Sequence, residues 1–340
     1  MKPRIINRDR FEAWVAELVE KAELIAPTDQ QGWSGFAPVG STSGIDLTRL
    51  NTKVPAKVLF FPQCETILRA GSDKAELPVP TDSGKDRILL GIRSCDTAAL
   101  EVLDRVFLDR DYPDPYYRER RERTALIGLA CNSPADTCFC VALGGSPFAS
   151  RGLDLLLVDL GDRYLAEPVT ARGAALVGSY PEAADPDISQ RRELEDKARS
   201  AIRLRLDPAR LKSLLDSGFE HPVWEELSLP CINCGACTFL CPSCHCFDIS
   251  DEERGGVKAR IRLWDSCQFC VYSQHASGHN PRSAPRARLR NRIMDKFKYT
   301  VDDYGLVSCV GCGRCAIECP AAIDIRETVE TLLARLPEAE

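Results

Sequence analysis

The cysteine-rich stretch nearest the middle of the chain reads Cys231-Ile-Asn-Cys234-Gly-Ala-Cys237-Thr-Phe-Leu-Cys241-Pro242. Its spacing, C-x2-C-x2-C-x3-C-P, is typical of bacterial ferredoxins. In that pattern the first three thiolates bind three irons of a 4Fe–4S cubane, and the fourth cysteine ligates the other cluster. The stretch therefore predicts one half of a two-cluster ferredoxin domain.

The same pattern returns near the C-terminus as Cys309-Val-Gly-Cys312-Gly-Arg-Cys315-Ala-Ile-Glu-Cys319-Pro320. Because the fourth cysteine of each motif belongs to the other cluster, the predicted ligands form two crossed sets. The first ferredoxin set is Cys231, Cys234, Cys237 and Cys319, and the second ferredoxin set is Cys309, Cys312, Cys315 and Cys241. A structural zinc site is the alternative, but zinc has no use for the third cysteine, the fourth cysteine or the proline.

Four more cysteines follow two apolar runs that each predict a buried strand. The run over residues 87–93 precedes a helix whose cap we predict to be Asp96, and the second run covers residues 124–130. Open α/β sheets bind ligands beyond the carboxyl ends of their strands. We therefore expect a third 4Fe–4S cluster on these loops, with a zinc site or reduced core thiols as the alternatives. Its predicted ligands are Cys95, Cys131, Cys138 and Cys140.

The segment between the two motifs carries further cysteines and a basic stretch. Cys244, Cys246, Cys267 and Cys270, with His245, could contact or coordinate a cluster, but packing is the favoured interpretation. For the lone thiol of Cys64 we predict a buried small hydrophobe rather than a ligand. The basic stretch is either a solvated helix face, or a surface that docks an acidic partner or compensates the negative charge of clusters. It comprises Arg282, Arg286, Arg288, Arg290, Arg292, Lys296 and Lys298.

Composition narrows the class of protein. A chain of 340 residues with 44% hydrophobic content predicts about two domains with real cores. Seventeen cysteines, an odd number at ligand spacing, argue against a disulfide scaffold and for a reducing compartment. A net charge of −6 without aromatic binding motifs gives no support for nucleic acid. Without a leader or an apolar run of about 18 residues, we expect a cytoplasmic protein with no membrane span.

Periodicity predicts an α+β fold. We expect a mixed α/β domain over residues 1–220, followed by a mostly helical ferredoxin-like domain with two 4Fe–4S clusters over residues 221–340. Helical spacing is present over residues 11–22 and 285–297, and residues 153–167 predict a β-hairpin, whereas 30–51 predicts a loop. No G-x-G-x-x-G, Walker loop or Ser/His/Asp motif occurs, so we expect an electron carrier that is not catalytic alone.

Several elements together resemble one family, over residues from about 60 to 325. They are Gly91-Ile-Arg-Ser-Cys95-Asp, Cys131 with Cys138-Phe-Cys140, the Cys231 motif with Cys244-His-Cys246-Phe-Asp, Trp264-Asp-Ser-Cys267, Gly278-His-Asn-Pro-Arg282 and the Cys309 motif. The chain resembles the iron–sulfur beta subunit of soluble sulfhydrogenases, which are NADP-linked nickel–iron hydrogenases. That family is closely related to an iron–sulfur component of anaerobic sulfite reductase.

The resemblance implies an electron-transfer subunit in an oxidoreductase complex. Its clusters would relay electrons between a flavin subunit that handles NAD(P) and a catalytic subunit, namely a nickel–iron hydrogenase. An anaerobic sulfite or polysulfide reductase is the alternative terminal partner. A non-redox scaffold whose metal sites only stabilise the fold is the alternative of another class.

Overall fold

The computed structural model describes residues 1–30, 32–70, 75–76, 85–109 and 111–338. The strands of this part of the chain are β1 (Arg4–Asn7), β2 (Glu23–Gln30), β3 (Trp33–Pro38), β4 (Cys64–Ala70), β5 (Ala75–Glu76), β6 (Arg87–Ile92), β7 (Thr124–Leu129), β8 (Leu155–Asp159), β9 (Arg163–Pro168), β10 (Phe247–Arg254) and β11 (Val257–Trp264). The helices are α1 (Arg8–Lys21), α2 (Ser94–Phe107), α3 (Pro115–Glu122), α4 (Ala171–Ala175), α5 (Asp185–Ala201), α6 (Pro208–Ser217), α7 (Val223–Ser228), α8 (Ala236–Phe239), α9 (Pro285–Met294), α10 (Thr300–Tyr304), α11 (Arg314–Ile317) and α12 (Ile325–Arg335). Among these, none has the length and apolar character that crossing a membrane requires.

The chain folds into two compact units. Unit 1 comprises Met1–Phe60, Asp82–Arg205 and Val310–Cys312, and unit 2 comprises Phe61–Thr81, Leu206–Cys309 and Gly313–Glu340. Both units mix helices with a β-sheet, so the predicted combination of helix and sheet is confirmed. The predicted boundary near residue 220 stays a prediction.

Unit 1 is built on a seven-stranded sheet in the order β1-β9-β8-β7-β6-β2-β3. The pairs β2–β6, β6–β7 and β7–β8 are parallel, and the outer pairs are antiparallel. Every residue of β6 and β7 is buried, as expected for parallel strands covered on both faces. Trp14 and Leu18 of α1 pack onto Leu90 and Ile127, which forms the apolar core on one side of the sheet.

The parallel pairing of β6 and β7 places their carboxyl ends at the same edge of the sheet. This confirms the predicted placement of the loops that carry Cys95 and Cys131. The helix after β6 differs from the expectation. It begins at Ser94, one turn earlier than a cap at Asp96 requires, and no side-chain cap closes its N-terminus.

Unit 2 contains a four-stranded sheet in the order β10-β11-β4-β5. Gly255 and Gly256 join β10 to β11, and both have positive φ (58° and 78°), as a two-residue hairpin turn requires. Strand β4 comes from far earlier in the chain and pairs with β11. The buried pair formed by Arg262 and Glu65 joins the two strands. Because of this sheet, the mostly helical character expected for residues 221–340 is not confirmed.

Other elements follow the sequence more closely. Helix α1 covers the predicted amphipathic segment, and β8 and β9 form the predicted hairpin. The segment 30–51 is not only loop, because β3 lies within it and pairs with β2. Helix α9 ends at Met294 and continues as a π-helix over Asp295–Tyr299.

Candidate iron–sulfur sites

The two ferredoxin motifs adopt the same local backbone conformation. Asn233 and Gly235 of the first motif have φ of 58° and 77°, and the equivalent Gly311 and Gly313 have φ of 65° and 75°. Residues in this left-handed region turn successive backbone N–H groups toward one side, which forms a concavity suited to anions. A short helix follows each loop, α8 in the first motif and α11 in the second. The repeat in sequence is thus a repeat in structure.

The first ferredoxin set lies around one cavity in unit 2. Cys231, Cys234 and Cys237 from the first motif line this cavity together with Cys319 from the second. The backbone N–H of Ile323 donates to the Cys319 sulfur at 3.3 Å. Cys315 of the second ferredoxin set lines the cavity as well, so the four thiols of the first set share it with a fifth.

Arg292 lies against the same cavity and is buried. Burial alone would lower its pKa, but the thiolates of Cys237, Cys315, Cys244 and Cys241 raise the pKa well above its ordinary value. Its Nη2 donates to the carbonyl oxygen of Cys237 at 3.4 Å. Within the described residues, its Nε is one of the few buried donors without a partner. A cluster sulfide would accept that hydrogen bond, so these residues fit a 4Fe–4S cluster, which supplies a one-electron carrier.

The buried cations of α9 and its π-helical extension share one face. Arg288, Arg292 and Lys296 recur at intervals of four residues, and each is at most 6% exposed. Arg286 and Arg290 of the same helix instead form ion pairs with glutamates, at 3.3 Å each. The basic stretch is therefore divided between a solvated face and a buried face that offsets the charge of the cysteine sites.

The second ferredoxin set is divided between the units. Cys241, Cys309 and Cys315 belong to unit 2, and Cys312 belongs to unit 1. Burial is the largest influence that raises the pKa of Cys315, and the charges of Cys241 and Cys237 add to it. Thiols that stay protonated when buried become stable thiolates only on binding iron.

Lys296 supports the Cys241 side of this set. Its Nζ donates to Ser243 Oγ at 3.0 Å, and that hydroxyl donates in turn to the carbonyl of Ser308 at 2.6 Å. Cys241 Sγ lies 3.4 Å from the same hydroxyl. A buried positive charge is thereby held next to a predicted cluster ligand.

The third predicted set lies at the carboxyl edge of the unit 1 sheet. Arg93, at the end of β6, fixes that edge through hydrogen bonds to four backbone carbonyls at 2.7–3.2 Å. The acceptors are the carbonyl oxygens of Leu129, Ala130, Leu47 and Arg49. Because Cys95 and Cys131 follow these strands directly, the position of both thiols depends on this buried guanidinium.

Three thiols of the third set, those of Cys131, Cys138 and Cys140, influence one another. Burial, together with Cys131 and Cys138, raises the pKa of Cys140 to about 12. Cys95 packs against Cys312 within unit 1, and the Cys138 thiol lies 4.0 Å from the carbonyl of Cys312. The hydroxyl of Thr137 is buried without a partner, and it could donate to a cluster sulfide. These side chains fit a cluster as the donors of the first ferredoxin set do.

Gly311 lies against the loop of the third set within unit 1. The Phe139 N–H donates to the Gly311 carbonyl at 2.8 Å. A Cβ at Gly311 would lie 2.4 Å from the backbone nitrogen of Cys140, so only glycine permits this approach.

The structure also groups cysteines that the sequence analysis assigned to packing. Cys244, Cys246 and Cys267 line a separate cavity of unit 2. Cys64 and Cys270 are exposed, so the burial predicted for Cys64 and the packing predicted for Cys270 are wrong. The signal for this grouping was present in the sequence. The Gly255-Gly256 hairpin brings the residues before β10 next to those after β11.

Comparison with known proteins agrees with this arrangement. Residues 230–323 match the 4Fe-4S dicluster domain family, so the C-terminal part of the chain is such a domain. Over 324 residues the chain is 31% identical to the sulfhydrogenase 2 subunit beta of Pyrococcus furiosus, a match that covers 94% of this chain and 95% of that protein. No solved structure matches the chain. The resemblance found in the motifs thus extends over nearly the whole length, and the chain belongs to the family of sulfhydrogenase beta subunits.

Proposed function

We propose that this chain is the electron-transfer subunit of a cytoplasmic hydrogenase complex. It passes single electrons through 4Fe–4S clusters between a flavin subunit that handles NAD(P) and a nickel–iron catalytic subunit. The name of the Pyrococcus furiosus relative, a sulfhydrogenase subunit, supports the complex. The subunit itself contributes cluster binding and electron conduction, while bond making and breaking belong to the cofactors of its partners.

The proposed ligands are the crossed sets of the two motifs. Cys231, Cys234, Cys237 and Cys319 hold one cluster, and Cys309, Cys312, Cys315 and Cys241 hold the second. Cys95, Cys131, Cys138 and Cys140 hold a third, in which the protein supplies thiolates from two neighbouring strand ends of one sheet.

One observation carries the relay. Cys237 of the first ferredoxin set and Cys315 of the second line one cavity together with the buried Arg292 side chain, so predicted ligands of both sets border one cation. Electron exchange between two clusters needs such proximity. A protein that used its metal sites only to stabilise the fold would have no reason to bring two of them together around a cation.

The cluster assignment is tested on the full chain, purified without oxygen. We expect the Cys131→Ser/Cys138→Ser variant to lose about four irons per chain relative to the unaltered protein. The matched control, Cys64→Ser, changes an exposed cysteine outside every set and should keep all of its iron. An unchanged iron content in the double variant would remove the third cluster from the proposal.

The complex is tested by co-purification of the tagged chain. We expect a nickel-containing protein and a flavin-containing protein to accompany it, and NAD(P)H to reduce the clusters only when the flavin protein is present. A sirohaem-containing partner in place of nickel would replace the hydrogenase assignment with a sulfite reductase. A chain that carries stoichiometric zinc and shows no paramagnetic iron after dithionite reduction would refute the relay itself.

A further inference from the structure

A second cysteine-lined cavity in unit 2 is used by none of the three predicted sets. It has a volume of about 470 Å³, and Cys244, His245, Cys246 and Cys267 lie on its wall with Arg282 and Arg292. The carboxylates of Asp295 and Asp303 line the same cavity. Three thiols and one imidazole around one space form an unusual combination for a packing defect. Thiolates and imidazole bind iron, and Arg282 and Arg292 offset part of the negative charge that the thiolates and carboxylates bring.

The β10–β11 hairpin creates this convergence. Phe247, the first residue of β10, pairs with Trp264, the last residue of β11. Beyond this pair the Asp265 N–H donates to the Cys246 carbonyl at 3.0 Å, which closes the base of the hairpin. Cys246 and Cys267, twenty-one positions apart in sequence, therefore lie on the wall of the same cavity. Their placement there is a product of the fold and not of local spacing.

The supporting polar groups have the orientation that ligands require. The Gln268 amide donates to the Cys267 sulfur at 3.4 Å. His245 Nδ1 lies 3.1 Å from the carbonyl oxygen of Ser243, which can only accept, so Nδ1 carries the proton. That tautomer leaves Nε2 as the nitrogen with a metal-binding lone pair, and a backbone carbonyl on the other nitrogen is the usual support of a histidine ligand.

The size of the cavity favours a cluster over a single ion. The thiolates of a cubane bind different irons and stay further apart than the ligands of one zinc ion. A space of about 470 Å³ with three cysteines on its wall suits the larger group.

From this geometry we infer a further 4Fe–4S site, in which Cys244, Cys246, Cys267 and His245 Nε2 are the four ligands. Arg292 lines both this cavity and that of the first ferredoxin set. The two sites are thus separated by one side chain within unit 2, and the further cluster extends the conducting path. The inference concerns cluster binding alone, and it holds whichever catalytic partner the complex contains.

The test is a comparison of iron and sulfide contents in the full chain, purified without oxygen. We expect the Cys244→Ala/Cys267→Ala variant to lose about four irons and four sulfides per chain, while the paramagnetic signals of the other clusters persist. The matched control, Cys64→Ala/Cys270→Ala, removes two exposed cysteines and should lose none. Unchanged iron in the first variant, or the loss of one zinc instead, would overturn the inference. Because the result is a difference between variants, it stands or falls separately from the Cys131 and Cys138 experiment.

A second measurement keeps the inference testable if the double variant fails to fold. In the dithionite-reduced, unaltered protein, pulsed EPR should detect hyperfine coupling to a directly bonded imidazole nitrogen. His245→Gln should abolish that coupling while Cys270→Ala retains it. Absence of the coupling from the unaltered protein would refute the proposed ligand set.

Discussion

Arg292 is expected to set the reduction potential of the clusters next to it. Its guanidinium donates to the Cys237 carbonyl at 3.4 Å and lines the cavity of the first ferredoxin set beside Cys315, so its charge would border a cluster held there. With an effective dielectric constant of about 20, a unit charge at about 7 Å contributes about 2.4 kcal/mol, or about 100 mV for one electron. Because reduction adds negative charge, the Arg292→Met variant should have potentials lower by about 100 mV.

The assay is an EPR-monitored redox titration of the full chain without oxygen. Arg292→Lys keeps the charge and should stay within about 30 mV of the unaltered protein. Arg286→Met removes an exposed cation of the same helix, which solvent and salt screen, and should shift the potentials by less than about 20 mV. A shift in Arg292→Met that is upward, or no larger than that of Arg286→Met, would refute the electrostatic role assigned to Arg292.

Three further predictions concern stability. Gly311→Ala places a Cβ 2.4 Å from the Cys140 nitrogen and should lower the free energy of unfolding by at least about 3 kcal/mol. The change is measured by denaturant titration, and the iron content of the variant is determined alongside it. Arg262→Met leaves the Glu65 carboxylate buried without its cation and should cost about 3–5 kcal/mol by the same titration. In the iron-free chain the unfolded state loses the Cys140 proton near pH 9, while the folded state keeps it to about 12. Stability should therefore fall as pH rises above about 9, by up to about 1.4 kcal/mol per pH unit from this thiol, in anaerobic melts.

Each of these predictions has a matched control. Gly305→Ala also has positive φ, but with open space around it, and should cost only about 1–2 kcal/mol. Arg260→Met breaks an exposed ion pair on the same strand as Arg262 and should leave the unfolding midpoint unchanged. Cys64→Ser should leave the fall in stability above about pH 9 unchanged. Cys140→Ser should reduce the slope of stability against pH by the contribution of about one proton. Equal effects in a variant and its control would contradict the corresponding argument.

Much of unit 1 was predictable because its strands and helices have strong local patterns. The all-apolar run of β6 and the period of α1 are determined by short stretches of sequence. β3 was not predicted, because the surrounding segment 30–51 is rich in Gly, Ser and Pro and the strand forms by pairing with β2. The N-terminus of α2 was displaced because Arg93 holds the end of β6 through its side chain, so the helix begins without a capping side chain.

The cysteine sites, too, were predictable from the sequence only in part. The spacing of each motif predicts its own loop, whereas the cavity brings the first ferredoxin set together with Cys315 of the second, so the crossed assignment stays a prediction. The sequence did not determine the role of the basic stretch. Residues at intervals of four lie on one helix face, but this spacing does not show whether the face is exposed to solvent or buried. The convergence of Cys246 and Cys267 depends on a hairpin between them, and the Gly255-Gly256 pair was the overlooked indication.

The pairing of β4 with β11 has a consequence for biosynthesis. Glu65 and Arg262 are separated by 197 positions, so at about 5–20 residues per second the ribosome needs roughly 10–40 s to deliver the arginine after the glutamate. During that interval β4 has no neighbour on the side where β11 will lie, and an open strand edge is prone to pair with another nascent chain. The yield of folded protein should therefore depend on chaperone supply and translation speed more than its final stability suggests.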